Sequence, residues 1–127
     1  MDTQTNEFIA IFLDEGKTRL SDLKNAVDNM TNSVTFSDSE KARIASHTIK
    51  GMSSQMGFNN ISEVSKRIEN FFIKYKMLGK LPDKESIFFV KQSVDLLQNL
   101  FLKLEKDGND SLDISKVIEK MDELINQ

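Results

Sequence analysis

Apolar residues recur every three or four positions along most of the chain, and polar or charged residues fill the positions between them. This spacing is typical of α-helices that bury one face, and no segment shows the sustained two-residue alternation of a half-buried strand. The pattern predicts five helices, of which the first covers about residues 4–31. The apolar stripe of this helix consists of Phe8, Ile9, Phe12, Leu13, Leu20, Leu23, Val27 and Met30.

Capping signals predict where the second and third helices begin. Ser37 followed by Glu40, and Asn60 followed by Glu63, both show the spacing of a capping box, in which a polar cap residue precedes an acid by three positions. The second helix is expected to run from this signal to about residue 56, where Gly57 is a C-terminal stop. The third is expected to end at the segment GKLPD.

Turn residues delimit the last two predicted helices. Pro82 suits the first turn of the fourth helix, which the cluster KDGNDS ends, and Asp113 is the expected cap of a short fifth helix. Long amphipathic helices joined by short loops predict an all-α fold. We expect an antiparallel, up-down four-helix bundle over about residues 4–106, with an appended fifth helix over about residues 113–126, in a single domain spanning 1–127.

Composition agrees with a helical domain and narrows the function. Five Gly and one Pro among 127 residues are few for a β-rich fold. The net charge of −3 argues against a nucleic-acid partner. The absence of cysteine excludes disulfides, thiolate metal sites and a Cys nucleophile, and is compatible with a reducing cytoplasm.

The ends and apolar runs of the chain indicate its compartment. The N-terminal segment MDTQTNEFIAIFLDEG has neither the basic region nor the uninterrupted apolar region of a signal peptide. No apolar run approaches the roughly 20 residues of a membrane span. We therefore expect a cytoplasmic protein without a membrane partner, monomeric as an isolated domain.

The single histidine, His47, lies in the second predicted helix. It could be a buried hydrogen-bonding residue, a surface residue without a role, or a nucleophile. On a helical wheel it lies roughly 160° from the centre of the apolar arc. This position argues against a core histidine and predicts that the imidazole is exposed. The residues of the apolar arc are Ala42, Ala45, Ile49, Met52 and Met56, with Ile44 at its edge.

Arg43, Lys50 and Ser54 are the neighbours of His47 on the polar face, with Gly51 beside them, and two of these four residues are informative. Lys50, one turn later, has no evident role beside a neutral imidazole but would stabilise a phosphorylated one, because the added group carries nearly two negative charges. Gly51 in mid-helix costs about 1 kcal/mol relative to Ala. Either another macromolecule approaches the helix there, or a neighbouring helix packs closely against it.

A nucleophilic imidazole needs a fixed tautomer, which a carboxylate accepting from Nδ1–H provides. Glu69 lies on the flank of the third predicted helix, and from there it could reach the outer face of an antiparallel second helix. Lys66, one turn earlier, would add positive charge near His47. Flank residues of these types are also common as solvated surface residues.

The segment ASHTIKGMSSQMGF resembles the phosphorylation motif of histidine phosphotransfer (HPt) domains, most closely that of the N-terminal domain of CheA-type chemotaxis histidine kinases. RIENFF places Glu69 where that family has its glutamate, and FLDEGKTRLSDL and the C-terminal tail are similar to its first and fifth helices. The chain departs from the family at two positions. Met52 lies where relatives often have Gly or Ala, and Lys66 lies where they often have His. The matching motif residues are His47, Thr48, Ile49, Lys50, Gly51, Gly57 and Phe58.

The resemblance implies a role for each site residue. His47 would accept the phosphoryl group through Nε2, Glu69 would orient it, and Lys50, with Lys66 as a helper, would stabilise the phosphoryl oxygens. The docking surface for partners would include Gly51, Thr48, Ser54 and Arg43. The implied partners are the ATP-binding domain of a histidine kinase and the receiver domain of a response regulator, which would bring the Mg²⁺ that such transfers use.

Several activities are not expected of this chain. It has no Gly-rich phosphate loop, so we expect a phosphocarrier without autonomous kinase activity and without a bound cofactor. With one His and no Cys, we expect no His-based metal site. Three interpretations remain open: an HPt domain of a larger CheA-type kinase, a stand-alone HPt protein of a phosphorelay, and a helical interaction module without chemistry.

Overall fold

The computed structural model describes the backbone of residues 3–127 and the side chains of residues 7–127. Within this range the regular elements are five α-helices, and no strand is present. The all-α prediction is therefore confirmed. The helices are α1 (Thr3–Met30), α2 (Phe36–Met56), α3 (Asn59–Leu78), α4 (Lys84–Asp107) and α5 (Ser115–Ile125).

The first four helices surround one hydrophobic core. α1 packs against α2 and α4, and α3 packs against the same two helices, so α1 and α3 lie on opposite corners of the bundle. Short connections make consecutive helices antiparallel. α5 lies against α3 and α4. The predicted up-down bundle with an appended fifth helix is confirmed.

Every helix contributes fully buried apolar side chains. Leu23, Ile49, Ile68 and Leu97 are 0% exposed at the centres of α1 to α4, and Met121 of α5 is 1% exposed. The fifth helix thus completes the core. Phe8 differs from the predicted stripe of α1, since it is 50% exposed near the start of the described side chains.

The start of α2 differs from the prediction. The helix begins at Phe36, and its cap is Thr35, whose Oγ1 accepts the backbone N–H of Asp38 at 3.1 Å. Ser37 therefore lies inside the first turn. Thr35 and Ser37 are both residue types that cap helices. Thr35 is the cap because its backbone is extended, as an N-cap requires. The end is as predicted, because Gly57 adopts a φ of 76° and closes a Schellman motif.

The other predicted starts are also shifted. α4 begins at Lys84, capped by Asp83, whose Oδ1 accepts the N–H of Ser86 at 2.7 Å, so Pro82 precedes the helix. Asp113 accepts the N–H of Ser115 at 3.0 Å, one residue before the cap position of α5. Asn60 does not cap α3, which begins one residue earlier.

Gly16 of α1 allows close packing against α4. A Cβ at this position would lie 2.8 Å from Cε2 of Phe101. Phe101 is 2% exposed and stacks on Phe12, with ring centroids 5.6 Å apart, so its ring has little room to move. The absence of a side chain at Gly16 is therefore required by the packing of α1 on α4.

Gly16→Ala is expected to destabilise the protein. Overpacking costs about 1–3 kcal/mol, and the higher helix propensity of Ala returns about 1 kcal/mol. We expect a net loss of up to about 2 kcal/mol in unfolding free energy, measured by urea denaturation. Gly51→Ala is the matched control, since it makes the same change at an open position and should raise stability by up to about 1 kcal/mol. Equal effects of the two substitutions would contradict this account.

Candidate functional site

α2 and α3 run side by side and place residues of two helices against each other. His47 lies on the outer face of α2, and its side chain is 62% exposed. The side chain of Glu69, from α3, is only 4% exposed. The predicted exposure of His47 is thus present, whereas Glu69 is buried beneath it instead of lying on a solvated flank.

Both carboxylate oxygens of Glu69 accept a hydrogen bond from α2. His47 Nδ1 lies 2.5 Å from Oε2, and Lys50 Nζ donates to Oε1 at 2.6 Å. With the proton on Nδ1, the imidazole donates to the carboxylate, and Nε2 keeps its lone pair. Nε2 is therefore free, while the contact of Nδ1 with the buried Glu69 fixes the orientation of the ring.

Glu69 is a charged group in a buried position. Burial by itself raises the pKa of its carboxyl. The hydrogen bonds from Lys50 and His47 lower this pKa by more than burial raises it, so it lies below the ordinary value of 4.5. The carboxylate is therefore ionised at neutral pH. Lys50 thus has a structural role even beside a neutral imidazole, contrary to the expectation from sequence, because it compensates this buried charge.

This arrangement suits nucleophilic attack by an imidazole. A carboxylate on Nδ1–H fixes the tautomer and stabilises the positive charge that develops on the ring when Nε2 forms a bond. The side-chain exposure of His47 leaves the ring accessible to a large reactant. Among the side chains of residues 7–127, no group of three or more His, Cys, Asp or Glu could hold a metal ion.

Comparison with known families shows the family of the domain that carries this site. Residues 7–105 match the family model of the Hpt domain. The chain belongs to the Hpt domain family. The sequence-based prediction of a histidine phosphotransfer domain is confirmed, and histidine phosphotransfer in two-component signalling is the function of this family.

Two solved structures share the fold of this Hpt domain. The solution structure of the histidine phosphotransfer domain of CheA has a TM-score of 0.81 and 22% identity, over 91% of this chain and 90% of that chain. The phosphorylated P1 domain of CheA3, crystallised in complex with CheY6 from R. sphaeroides, has a TM-score of 0.84 and 16% identity, over 94% of this chain and 96% of that chain.

The residues predicted to dock partners of the Hpt domain differ in how they are held. A methyl group added at Gly51 would meet no heavy atom within 4 Å. The explanation of this glycine by close packing of a neighbouring helix is therefore wrong. Thr48 Oγ1 donates to the carbonyl of Ile44 at 3.1 Å, and the hydroxyls of Ser54 and Ser62 are 2.7 Å apart. The surface around Gly51 is therefore open and lined by small polar groups.

Arg43 belongs to an ion-pair network that the sequence did not reveal. Its Nε and Nη2 donate to Glu40 at 2.9 and 2.5 Å, and Lys76 of α3 donates to the same carboxylate at 3.0 Å. The hydrogen bonds from Arg43 and then Lys76 lower the pKa of Glu40 to about 2. Glu40 thus links α2 to Lys76 of α3, and Arg43 shares its carboxylate from within α2.

Lys66 is not brought into the site. Its side chain is exposed, and among the described side chains it makes no hydrogen bond or ion pair with His47 or Glu69. The structure therefore gives no contact through which Lys66 would help, unlike Lys50.

Small buried serines on α2 and α3 are the part of the site that sequence reasoning missed. Ser46, Ser53 and Ser65 are all 0% exposed. Small side chains let helices approach closely, and a close approach is needed for Glu69 to reach His47. The signal was present in the sequence, because Ser46 and Ser53 extend the buried positions Ala42 and Ile49 with spacings of four, three and four residues.

No helix among the described residues is long and apolar enough to cross a membrane.

The lowered pKa of Glu69 predicts a pH-dependent part of the stability. The hydrogen bonds of the Glu69 carboxylate contribute fully to the unfolding free energy above pH 4.5. This contribution is lost as the pH falls through the lowered pKa of the folded protein, because the carboxylate is then protonated. Glu69→Gln should therefore be less stable than the natural chain by about 1–3 kcal/mol at pH 7, and this difference should shrink in acid. Urea denaturation between about pH 2.5 and pH 7 measures both curves.

The control for this experiment is Glu105→Gln. It removes one carboxylate from an exposed ion pair with Lys17, and exposed pairs contribute little to stability. A stability difference between Glu69→Gln and the natural chain that is independent of pH would contradict the assignment of a stabilising negative charge to Glu69.

Proposed function

We propose that His47 is the phosphoacceptor of this Hpt domain, receiving a phosphoryl group from the ATP-binding domain of a histidine kinase and passing it to an aspartate of a response-regulator receiver domain. The observation that carries this proposal is the exposed imidazole whose Nδ1 is held by the buried Glu69 at 2.5 Å. The fold shared with CheA domains, one of them solved with CheY6, supports a CheA-type partner set in chemotaxis.

The transfer is a displacement at phosphorus. The lone pair of His47 Nε2 forms the new N–P bond while the bond from the γ-phosphorus to the bridging oxygen breaks, and ADP leaves with that electron pair. The Nδ1 proton stays between His47 and Glu69, which stabilises the charge on the phosphorylated ring. The second transfer reverses these roles, with a receiver carboxylate as nucleophile and the imidazole as leaving group. Such reactions depend mainly on positioning and charge.

We assign to Lys50 the stabilisation of the phosphoryl group. Its Nζ already lies at the site, 2.6 Å from Glu69 Oε1, and 31% of its side chain is exposed. An ammonium group has three donors, so Lys50 can bind a phosphoryl oxygen while it keeps a bond to Glu69. We assign Lys66 only long-range positive charge.

Docking is proposed over the open surface of α2 at Gly51, beside Thr48, Ser54 and Arg43. The contiguous core over all five helices supports one domain spanning 1–127, and we propose that it acts as a monomer. A donor domain that uses ATP implies a cytoplasmic location.

Phosphotransfer assays test the acceptor assignment. With a CheA-type kinase core and labelled ATP, the natural chain should acquire acid-labile, base-stable label that a receiver domain then removes. His47→Gln should acquire none. Glu69→Gln should be slower by up to about 10²-fold through loss of orientation. Lys50→Met should be slower by about tenfold or more, because a hydrogen bond to a charged group contributes about 1.5–3 kcal/mol.

Lys103→Met is the matched control for Lys50→Met. It also removes a lysine from an ion pair, in which Nζ lies 2.6 Å from Oδ2 of Asp107, but this pair lies on α4. It should accept label at the natural rate. Label on His47→Gln would refute His47 as acceptor, and no label on the natural chain with several kinase cores would favour an interaction module without chemistry.

Docking at Gly51 is tested by Gly51→Leu. The position is open, so the folded domain should keep its stability, while a bulky side chain beside His47 should obstruct the kinase and raise the KM for phosphorylation. Asn99→Leu is the control, because it adds the same side chain at an exposed position of α4, which does not contact α2. Equal KM values for the two variants would place docking elsewhere.

A further inference from the structure

α3 carries a second polar stripe, on the face away from His47. Asn60, Arg67 and Lys74 are spaced by seven residues and therefore lie on one side of the helix. Glu69 is two residues from Arg67, a rotation of roughly 200°. The helix thus directs Glu69 toward α2 and this stripe in nearly the opposite direction, toward α5.

The N-terminus of α3 is capped by the loop between α4 and α5. Its own cap residue, Phe58, makes no side-chain hydrogen bond. Asp110 Oδ2 instead accepts the backbone N–H of Ile61 at 3.0 Å. Asn60 Nδ2 returns two hydrogen bonds, to the carbonyl oxygens of Asp110 at 2.8 Å and Leu112 at 3.2 Å. The start of α3 is therefore tied to a loop about 50 residues away in sequence.

The rest of the stripe binds α5. Arg67 Nε donates to Asp122 Oδ1 at 3.2 Å. Lys74 Nζ donates to the carbonyl oxygens of Leu124 at 2.9 Å and Gln127 at 3.0 Å, at the C-terminus of α5, where a cation also interacts favourably with the helix dipole. We call these contacts, made by Asn60, Arg67 and Lys74 with residues 110–127, the α3–α5 clasp.

The clasp uses a segment beyond the matched family region. Arg67 also pairs with Glu63 of α3 itself. The Hpt match ends at residue 105, whereas the hydrogen-bond partners that the stripe has outside α3, among the described residues, lie at residues 110–127. The hydrogen bonds of Glu69, at 2.5 and 2.6 Å, tolerate little movement of α3 along its axis. A shift of one residue moves a helix by about 1.5 Å, which would break both.

We propose that the α3–α5 clasp positions Glu69 against His47, so that Asp110, Arg67 and Lys74 are positioning residues for phosphotransfer. This inference rests on the proposed function of His47. The clasp holds the helix at its start, its middle and near its end, on the face opposite Glu69. Loosening it lets α3 slide or rotate relative to α2 while the apolar core remains.

The test compares Asp110→Ala and Arg67→Met with Asp110→Asn, which keeps an oxygen acceptor for the Ile61 N–H. Gly16→Ala is the control, because it destabilises the packing of α1 on α4 without touching α3. All chains are studied where urea denaturation shows them folded. Because the sequence contains a single His, the nitrogen-15 NMR signals of the imidazole report His47 directly.

We expect Asp110→Ala and Arg67→Met to accept phosphate about tenfold more slowly, within the roughly 10²-fold that a 1 Å misplacement can cost. Their Nδ1 signal should lose the character of a strongly hydrogen-bonded N–H. Asp110→Asn and Gly16→Ala should keep both the rate and the signal of the natural chain.

An unchanged imidazole signal in Asp110→Ala and Arg67→Met would overturn the proposal, even if the phosphotransfer rate fell, because the clasp would then act elsewhere than on Glu69. An equal loss of rate in Gly16→Ala would overturn it as well. Failure of the proposed function is recognised separately, since the natural chain would then accept no phosphate although its imidazole signal still reported the Glu69 contact.

Discussion

The site depends on one buried carboxylate. Glu69 is almost completely removed from solvent, and a charge in this position is costly unless donors surround it. His47 and Lys50 supply one donor to each oxygen, and both come from α2. The carboxylate therefore joins the two helices in one register as well as orienting the imidazole. A relative movement of α2 and α3 would leave this charge buried without its donors, so the contact that stabilises the helix pair is the same one that holds the imidazole.

The protein divides the tasks of a phosphocarrier between exposed and buried groups. The imidazole of His47 and the open surface at Gly51 face solvent, where a large partner can approach. The carboxylate that holds the ring lies beneath it, and serines are among the buried side chains of the two helices that make this contact. Further polar contacts on both sides of α3, to Glu40 of α2 and to α5, restrain the helix that carries Glu69.

Much of the fold was predictable from local pattern. Helical periodicity placed all five helices, and the wheel placed His47 on the exposed face, because these properties depend on side chains a few positions apart. The exact helix starts were less predictable. Thr35 and Ser37 compete for one cap, and the cap of α3 comes from Asp110, which no local signal near Asn60 could indicate. Phe8 fits the apolar stripe of α1 by spacing, yet half of it is exposed, since burial depends on whether a neighbouring helix covers the position.

The sequence by itself determined the helices, the exposed His47 and the motif residues that identify the family, since each is encoded in short-range spacing. Only the tertiary structure decided which of the nearby charges act together. It buried Glu69 beneath His47, made Lys50 its counter-ion and left Lys66 without such a contact. It also paired both Arg43 and Lys76 with Glu40. It also gave the fifth helix its contacts with α3. The physical reason is that ion pairing and burial depend on distances between helices, which the periodicity of a single helix does not contain.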